Sequence, residues 1–255
     1  MGLRLMNCKR SAFSLAELLT VISIIAMLTG LLLSALLRAR NQSRAVVCLS
    51  NLRQMAVAAS VYTQNFGGYY PIAYYKSETA EGLTYWYNWD FTTILDRGTV
   101  TAVVPGLLWQ GQTIMRIQQC PVFRGCSYTQ ADPYTGYNYN TSYIGHGQYE
   151  CIQTPTKVDE VKRPGDCALF GDGQWKDGAN KFMRAPWRSE GDTFQNREAG
   201  TQGYRHLGKT NVAWCDGSSR AVRKCYNQTG NKYLDRKIAP GTGFLSPDNS
   251  AYDLE

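Results

Sequence analysis

The fold turns on Lys9–Leu37, K-R-S-A-F-S-L-A-E-L-L-T-V-I-S-I-I-A-M-L-T-G-L-L-L-S-A-L-L. Its last twenty positions, 18–37, carry no charge. As a helix rising 1.5 Å per residue they span roughly 30 Å, the thickness of a bilayer's hydrocarbon core. A cleaved secretory signal has an apolar stretch of only about 7–15 residues before a small-x-small site. Here the run is longer and leads straight into Arg38-Ala39-Arg40, so a retained membrane span is expected. Basic residues flank it on both sides, Arg4, Lys9 and Arg10 before and Arg38, Arg40 and Arg44 after. The positive-inside bias therefore barely selects an orientation. The cysteine-bearing bulk that follows does, with the N-terminus inside and the rest outside.

Beyond this segment, 255 residues leave room for one core-bearing domain or two small ones. With 44% hydrophobic and 18% charged residues, the chain is neither disordered nor a multi-span membrane protein. The formal charge is +7; less the three cations ahead of the span, +4 remains, an ordinary solvated surface that gives nucleic acid little purchase. Eight cysteines without any C-x-x-C pair argue against zinc-ribbon and thioredoxin-type sites and for disulfides in an oxidising compartment. Cys8 precedes the span and seven follow, an odd number that leaves one thiol free or paired between chains.

Glu17 does not suit a plain anchor, because an acid at membrane depth costs about 2.5–3.5 kcal/mol without a partner. The whole string, a basic pair, a small residue, Phe13-Ser14-Leu15, then Glu17-Leu18-Leu19 and a long apolar helix, resembles the processing site of type IV prepilins and type II secretion pseudopilins. The resemblance implies that a prepilin peptidase/methyltransferase cuts between Ala12 and Phe13 and methylates the new amine. It further implies that Glu17 sets assembly register by pairing with the amine of a like subunit. Ammonium and carboxylate then offset each other's burial. Ala12 departs from the glycine usual at that position.

The helical period continues past the span through Ala45, Cys48/Leu49, Leu52, Met55/Ala56, Ala59, Tyr62 and Phe66, one apolar stripe that Gly67-Gly68 should end. Tyrosines and tryptophans then cluster among Gly, Asn and Asp, which suits short strands and long loops. Cys167–Asp172 reads as a buried strand, and Asp216-Gly217 as a hairpin turn between strands at 211–215 and 220–223. His206, nine residues, then Asp216-Gly217 resembles the C-terminal H-x9-DG signature of a bacterial prepilin-type group. Other landmarks of that group recur at Cys48–Gln54, Cys120-Pro121 and Gly171-Asp172-Gly173. The resemblance suggests a Cys48–Cys120 disulfide and assigns no chemistry to His206, Asp216 or Gly217. The other head cysteines stay unassigned.

No catalytic group is expected. A hydrogen-bonded strut between His206 and Asp216 is the favoured reading over a ligand pair. Asp172, Asp177 and Asp216 offer hard oxygens of the kind Ca2+ takes, but each precedes a glycine as turn residues do, and EF-hand spacing is lacking. No metal or cofactor is therefore expected, with structural calcium kept as an alternative. The expected architecture is α+β and type IV pilin-like, with a long helix packed on a small, mostly antiparallel sheet. Its parts are a leader (1–12), a transmembrane or filament-core helix (13–37), an amphipathic continuation (38–66) and a β-rich head (67–255) carrying the signature at 206–217. The resemblance implies a non-enzymatic subunit of a type II secretion pseudopilus or type IV pilus-like filament. Its surroundings would be the bacterial inner membrane, its lipid and an assembly platform, with the head in the periplasm. A membrane-anchored glycan- or polymer-binding protein and a DNA-uptake or adhesive pilin are the alternatives.

Overall fold

The computed structural model describes residues 14–111, 115–129, 131–176, 178–193 and 196–255. Ala12, Phe13 and Asp177 lie outside them. The chain divides into two compact units, Met1–Asn41 and Gln42–Glu255, and helix α1 (Leu15–Asn65) belongs partly to each.

In the first unit, α1 opens with a reciprocal cap. The Glu17 amide donates to Ser14 Oγ (3.2 Å), and the Ser14 amide donates back to the Glu17 carboxylate (2.9 Å). The hydroxyls of Thr20, Ser23, Thr29 and Ser34 donate to carbonyls three or four residues earlier, so the apolar run satisfies its own polar groups. Its large apolar side chains, among them Ile22, Ile25, Leu28 and Leu32, are all exposed. This helix is long and apolar enough to cross a membrane.

In the second unit, the rest of α1 buries Cys48, Leu52, Met55, Ala56, Ala59 and Thr63, spaced three and four apart on one face. The helix stops at Gly67 (φ +62°): Gly68 N–H reaches back to Thr63 O (2.8 Å), a closure that a left-handed glycine permits. The expected stripe narrows there. Tyr62 and Phe66 stack on one another at 4.1 Å instead of entering the core.

Four strands follow as an antiparallel meander, β1 (Tyr74–Glu78), β2 (Leu83–Asn88), β3 (Phe91–Asp96) and β4 (Thr99–Pro105). Arg97 (φ +46°) and Gly98 (φ +85°) make the two-residue β3–β4 turn, whose paired positive φ values match strand twist. The remaining strands are β5 (Asn138–Asn140), β6 (Ala168–Gly171), β7 (Phe182–Met183), β8 (Gln202–Gly203), β9 (Thr210–Trp214), β10 (Ser219–Val222) and β11 (Thr242–Gly243). A five-stranded sheet runs β10-β9-β6-β5-β7, parallel only at β5–β7, and β8 pairs with β11. The architecture is α+β. Trp89, Tyr139 and Phe170 pack with ring centroids 5.1–5.7 Å apart, in one core with Leu52, Met55 and Ala213.

Leu52→Ala should therefore lower unfolding free energy by about 2–5 kcal/mol, the range for emptying a fully buried leucine site. Val57→Ala, on the exposed face of the same helix, should stay within about 0.5 kcal/mol. Denaturant titration followed by tryptophan fluorescence measures both.

Candidate functional site

Four landmark residues converge in the second unit. Cys48 comes from α1, Cys120 from the loop before β5, Asp172 from the residue after β6, and His206 from the β8–β9 loop. All four are buried, and one donor atom from each lies within 4.8 Å of the others. Cys48 Sγ donates to Asp172 Oδ1 at 3.1 Å, Cys120 Sγ sits 3.5 Å from His206 Nε2, and His206 Nε2 is 3.4 Å from Asp172 Oδ2. Arg205 closes the group: its Nη2 is 3.0 Å from Asp172 Oδ1 and its Nε 3.3 Å from Cys120 Sγ. The Asn211 amide donates to Asp172 Oδ2 at 2.6 Å.

The backbone explains why glycines flank Asp172. A Cβ on Gly173 would run into Asn180 O and the Asn138 side chain, and one on Gly171 into the Gln202 amide. Close approach of β5, β7 and β8 to that turn holds the carboxylate against the helix.

Electrostatics differentiate the two thiols. Burial, then the neighbouring Cys120 and Asp172, push the Cys48 thiol well above its usual value. Burial would raise Cys120 too, but the Cys48 thiol, Arg205 and His206 together hold it well below. Burial disfavours a charged His206, yet Asp172 and Cys120 outweigh that and lift it to about 9.

The trio Cys120, His206 and Asp172 has the residue types of a nucleophilic triad. Cys120 is 0% exposed and His206 3%, however, so no substrate carbonyl reaches the sulfur. The other histidine, His146, is buried beside Gly191 and pushed down by burial. Two thiols, an imidazole and a carboxylate in a closed shell are metal-ligand types.

The structure separates two residues that the sequence joined. His206 points to Asp172, whereas Asp216 is exposed and caps its own turn by accepting from the Ser218 amide (2.8 Å). Gly217 (φ +81°) supplies the turn's left-handed residue. A strut between His206 and Asp216 is thereby corrected, and Asp172 and Asp216 do not share a calcium site. Cys48 and Cys120 do meet, as free thiols; the other described cysteines are free as well. Among them, Cys167 and Cys215 lie opposite one another across β6 and β9, Cys215 N donating to Cys167 O at 3.0 Å.

A second concavity was not foreseen. A cleft of about 820 Å3 is walled by Tyr74, Trp86, Tyr128, Tyr149, Trp175 and Phe182. Its floor carries buried ions: Lys181 between Asp90 (2.9 Å) and Asp132 (2.8 Å), and Arg184 between Glu150 (2.7 Å) and Asp192 (2.9 Å). Only the aromatic density of residues 69–149 hinted at it.

No family model matches the chain, and searches of curated proteins and of solved structures return no match.

Lys181→Met strands two buried carboxylates and should cost about 3–5 kcal/mol at neutral pH. Burial already raises Asp90 in the folded chain, so its ionisation works against folding as pH rises. Without Lys181 that penalty grows, and the gap between variant and wild type should shrink as pH falls toward about 4. Urea titrations at both pH values check the sign.

Proposed function

We propose that the chain is a pilin-like structural subunit, anchored by α1 and assembled through it into a pseudopilus or pilus-like filament. One observation carries this reading: the apolar run of α1 offers side chains on every face with none buried in its own chain, and it begins at an acid. Such a helix needs a cover. Membrane lipid supplies one before assembly and neighbouring α1 helices supply one afterwards. A binding module with a simple anchor would need the span but not Glu17. On this reading a prepilin peptidase/methyltransferase processes the chain between Ala12 and Phe13, and an inner-membrane platform assembles it with the head in the periplasm.

Glu17 also has a local task, since it closes the cap with Ser14. Glutamine serves that cap equally well, whereas only a carboxylate neutralises an ammonium. The two roles are therefore separable. Co-expression with a prepilin peptidase should yield a chain beginning at methylated Phe13, read by intact mass and N-terminal sequencing; a chain still beginning at Met1 removes the processing step. Glu17→Gln should be cleaved normally and fail to enter filaments in shear fractions. Wild-type incorporation of that variant would confine Glu17 to capping.

The aromatic cleft favours a second reading, a head that captures polysaccharide. Purified protein should then bind immobilised glycans, and Trp86→Ala should weaken binding by about tenfold. No retention on any polysaccharide tested eliminates this reading.

A further inference from the structure

We propose that Cys48, Cys120, Asp172 and His206 form a closed tetrahedral zinc site that fastens the Cys48 turn of α1 to the sheet. This inference stands apart from the filament reading and uses only the geometry of the second unit.

Distances come first. With Zn–S near 2.3 Å and Zn–N or Zn–O near 2.0–2.1 Å, the edges of a tetrahedron between donors measure roughly 3.3–3.8 Å. Cys48 Sγ is 3.1 Å from Asp172 Oδ1, His206 Nε2 is 3.4 Å from the other carboxylate oxygen, Oδ2, and 3.5 Å from Cys120 Sγ, and with one donor atom from each residue the widest separation is within 4.8 Å. Contraction by about 1 Å at the widest edge completes the figure, a shift within the reach of side-chain rotation alone.

Donor chemistry selects the ion. Thiolates and imidazole suit zinc and are poor ligands for calcium or magnesium, which take oxygen. Four protein donors leave no open coordination position, and all four are 0–3% exposed, as in structural rather than catalytic zinc sites.

Charge agrees as well. On binding, the Cys48 thiol and the His206 ring each release a proton to solvent. Two thiolates and a carboxylate then sum to −3, and Arg205, in contact with both Asp172 and Cys120, brings this to −2. A divalent cation neutralises the remainder in a place without solvent. A disulfide would use the two sulfurs and leave the carboxylate to Arg205, His206 and the Asn211 amide.

The donors run from Cys48 to His206, 206 − 48 = 158 residues along the chain. Metal binding therefore couples directly to folding of the head, because no local segment could hold the ion by itself.

The test uses the full-length chain, purified in detergent with reductant and no chelator, then equilibrated with ZnCl2 and desalted. Elemental mass spectrometry should find one zinc per chain, and Cys48→Ser and His206→Ala should each lower it more than about tenfold. Since either variant could fail to fold, metal-free wild type is also titrated with CoCl2. It should develop the visible and sulfur-to-cobalt absorption of a tetrahedral thiolate site, which ZnCl2 then bleaches. Folded, reduced wild type that takes up neither ion overturns the proposal. So does zinc fully retained by folded Cys48→Ser, or a Cys48–Cys120 disulfide in peptide maps of protein isolated from membranes without reductant.

Discussion

Asp172 is a carboxylate with no solvent contact, and a buried charge is tolerable only when its partners are in place. Four groups converge on it: Cys48 Sγ from the helix, Arg205 Nη2 and His206 Nε2 from one loop, and the Asn211 amide from β9. Removing any one partner leaves the rest holding a charge that hydration cannot reach. The helix, the end of β6 and the β8–β9 loop are thereby bound to one register. Gly171 and Gly173 belong to the same constraint, because their missing Cβ atoms let neighbouring strands close around the turn.

The same solution recurs at the aromatic cleft. Lys181 sits between Asp90 and Asp132, and Asp192 takes bonds from Arg184, Arg197 and the Ser142 hydroxyl. These ions join loops that the short strands cannot order by themselves, β7, β8 and β11 being two residues each. Desolvation makes such groups poor sources of net stability, while their directional bonds reject alternative packings. A head with long loops is thus held at a few charged nodes as well as by the Trp89–Tyr139–Phe170 core.

Legibility in the sequence followed the strength of periodic and turn signals. The helix, its buried positions Cys48, Leu52, Met55, Ala56 and Ala59, and its glycine stop were readable from spacing alone. So was the Asp216-Gly217 hairpin. The β1–β4 meander was not. Every residue of β2 is half-buried, so no alternation of apolar and polar positions marks a face. Its one local signature, Arg97-Gly98 between threonine-rich runs, lacks the Asn or Asp that usually announces such a turn. The convergent cluster was half legible. Resemblance picked out Cys48, Cys120, Asp172 and His206 as separate landmarks, but partners 86 and 124 residues apart leave no trace in spacing. His206 was therefore given the nearer acid, Asp216, which the structure turns to solvent.

Along helix α1, composition and burial change together. Residues 18–37 carry no charge and present apolar side chains all round, the pattern of a helix without a polar face to show water. From Arg38 onward charges return, and burial contracts to one stripe that ends in the core. A helix committed only to the core would need no span, and one committed only to lipid would need no stripe. Glu17 sharpens the point. In isolation its carboxylate turns back on the Ser14 amide, a bond available to any helix start, so the acid is satisfied without a partner chain. On the proposed filament reading, an acid that satisfies itself locally waits at a membrane surface at little cost and exchanges that bond for a neighbouring ammonium. On that reading, capping and assembly are successive uses of one carboxylate rather than rival explanations of it.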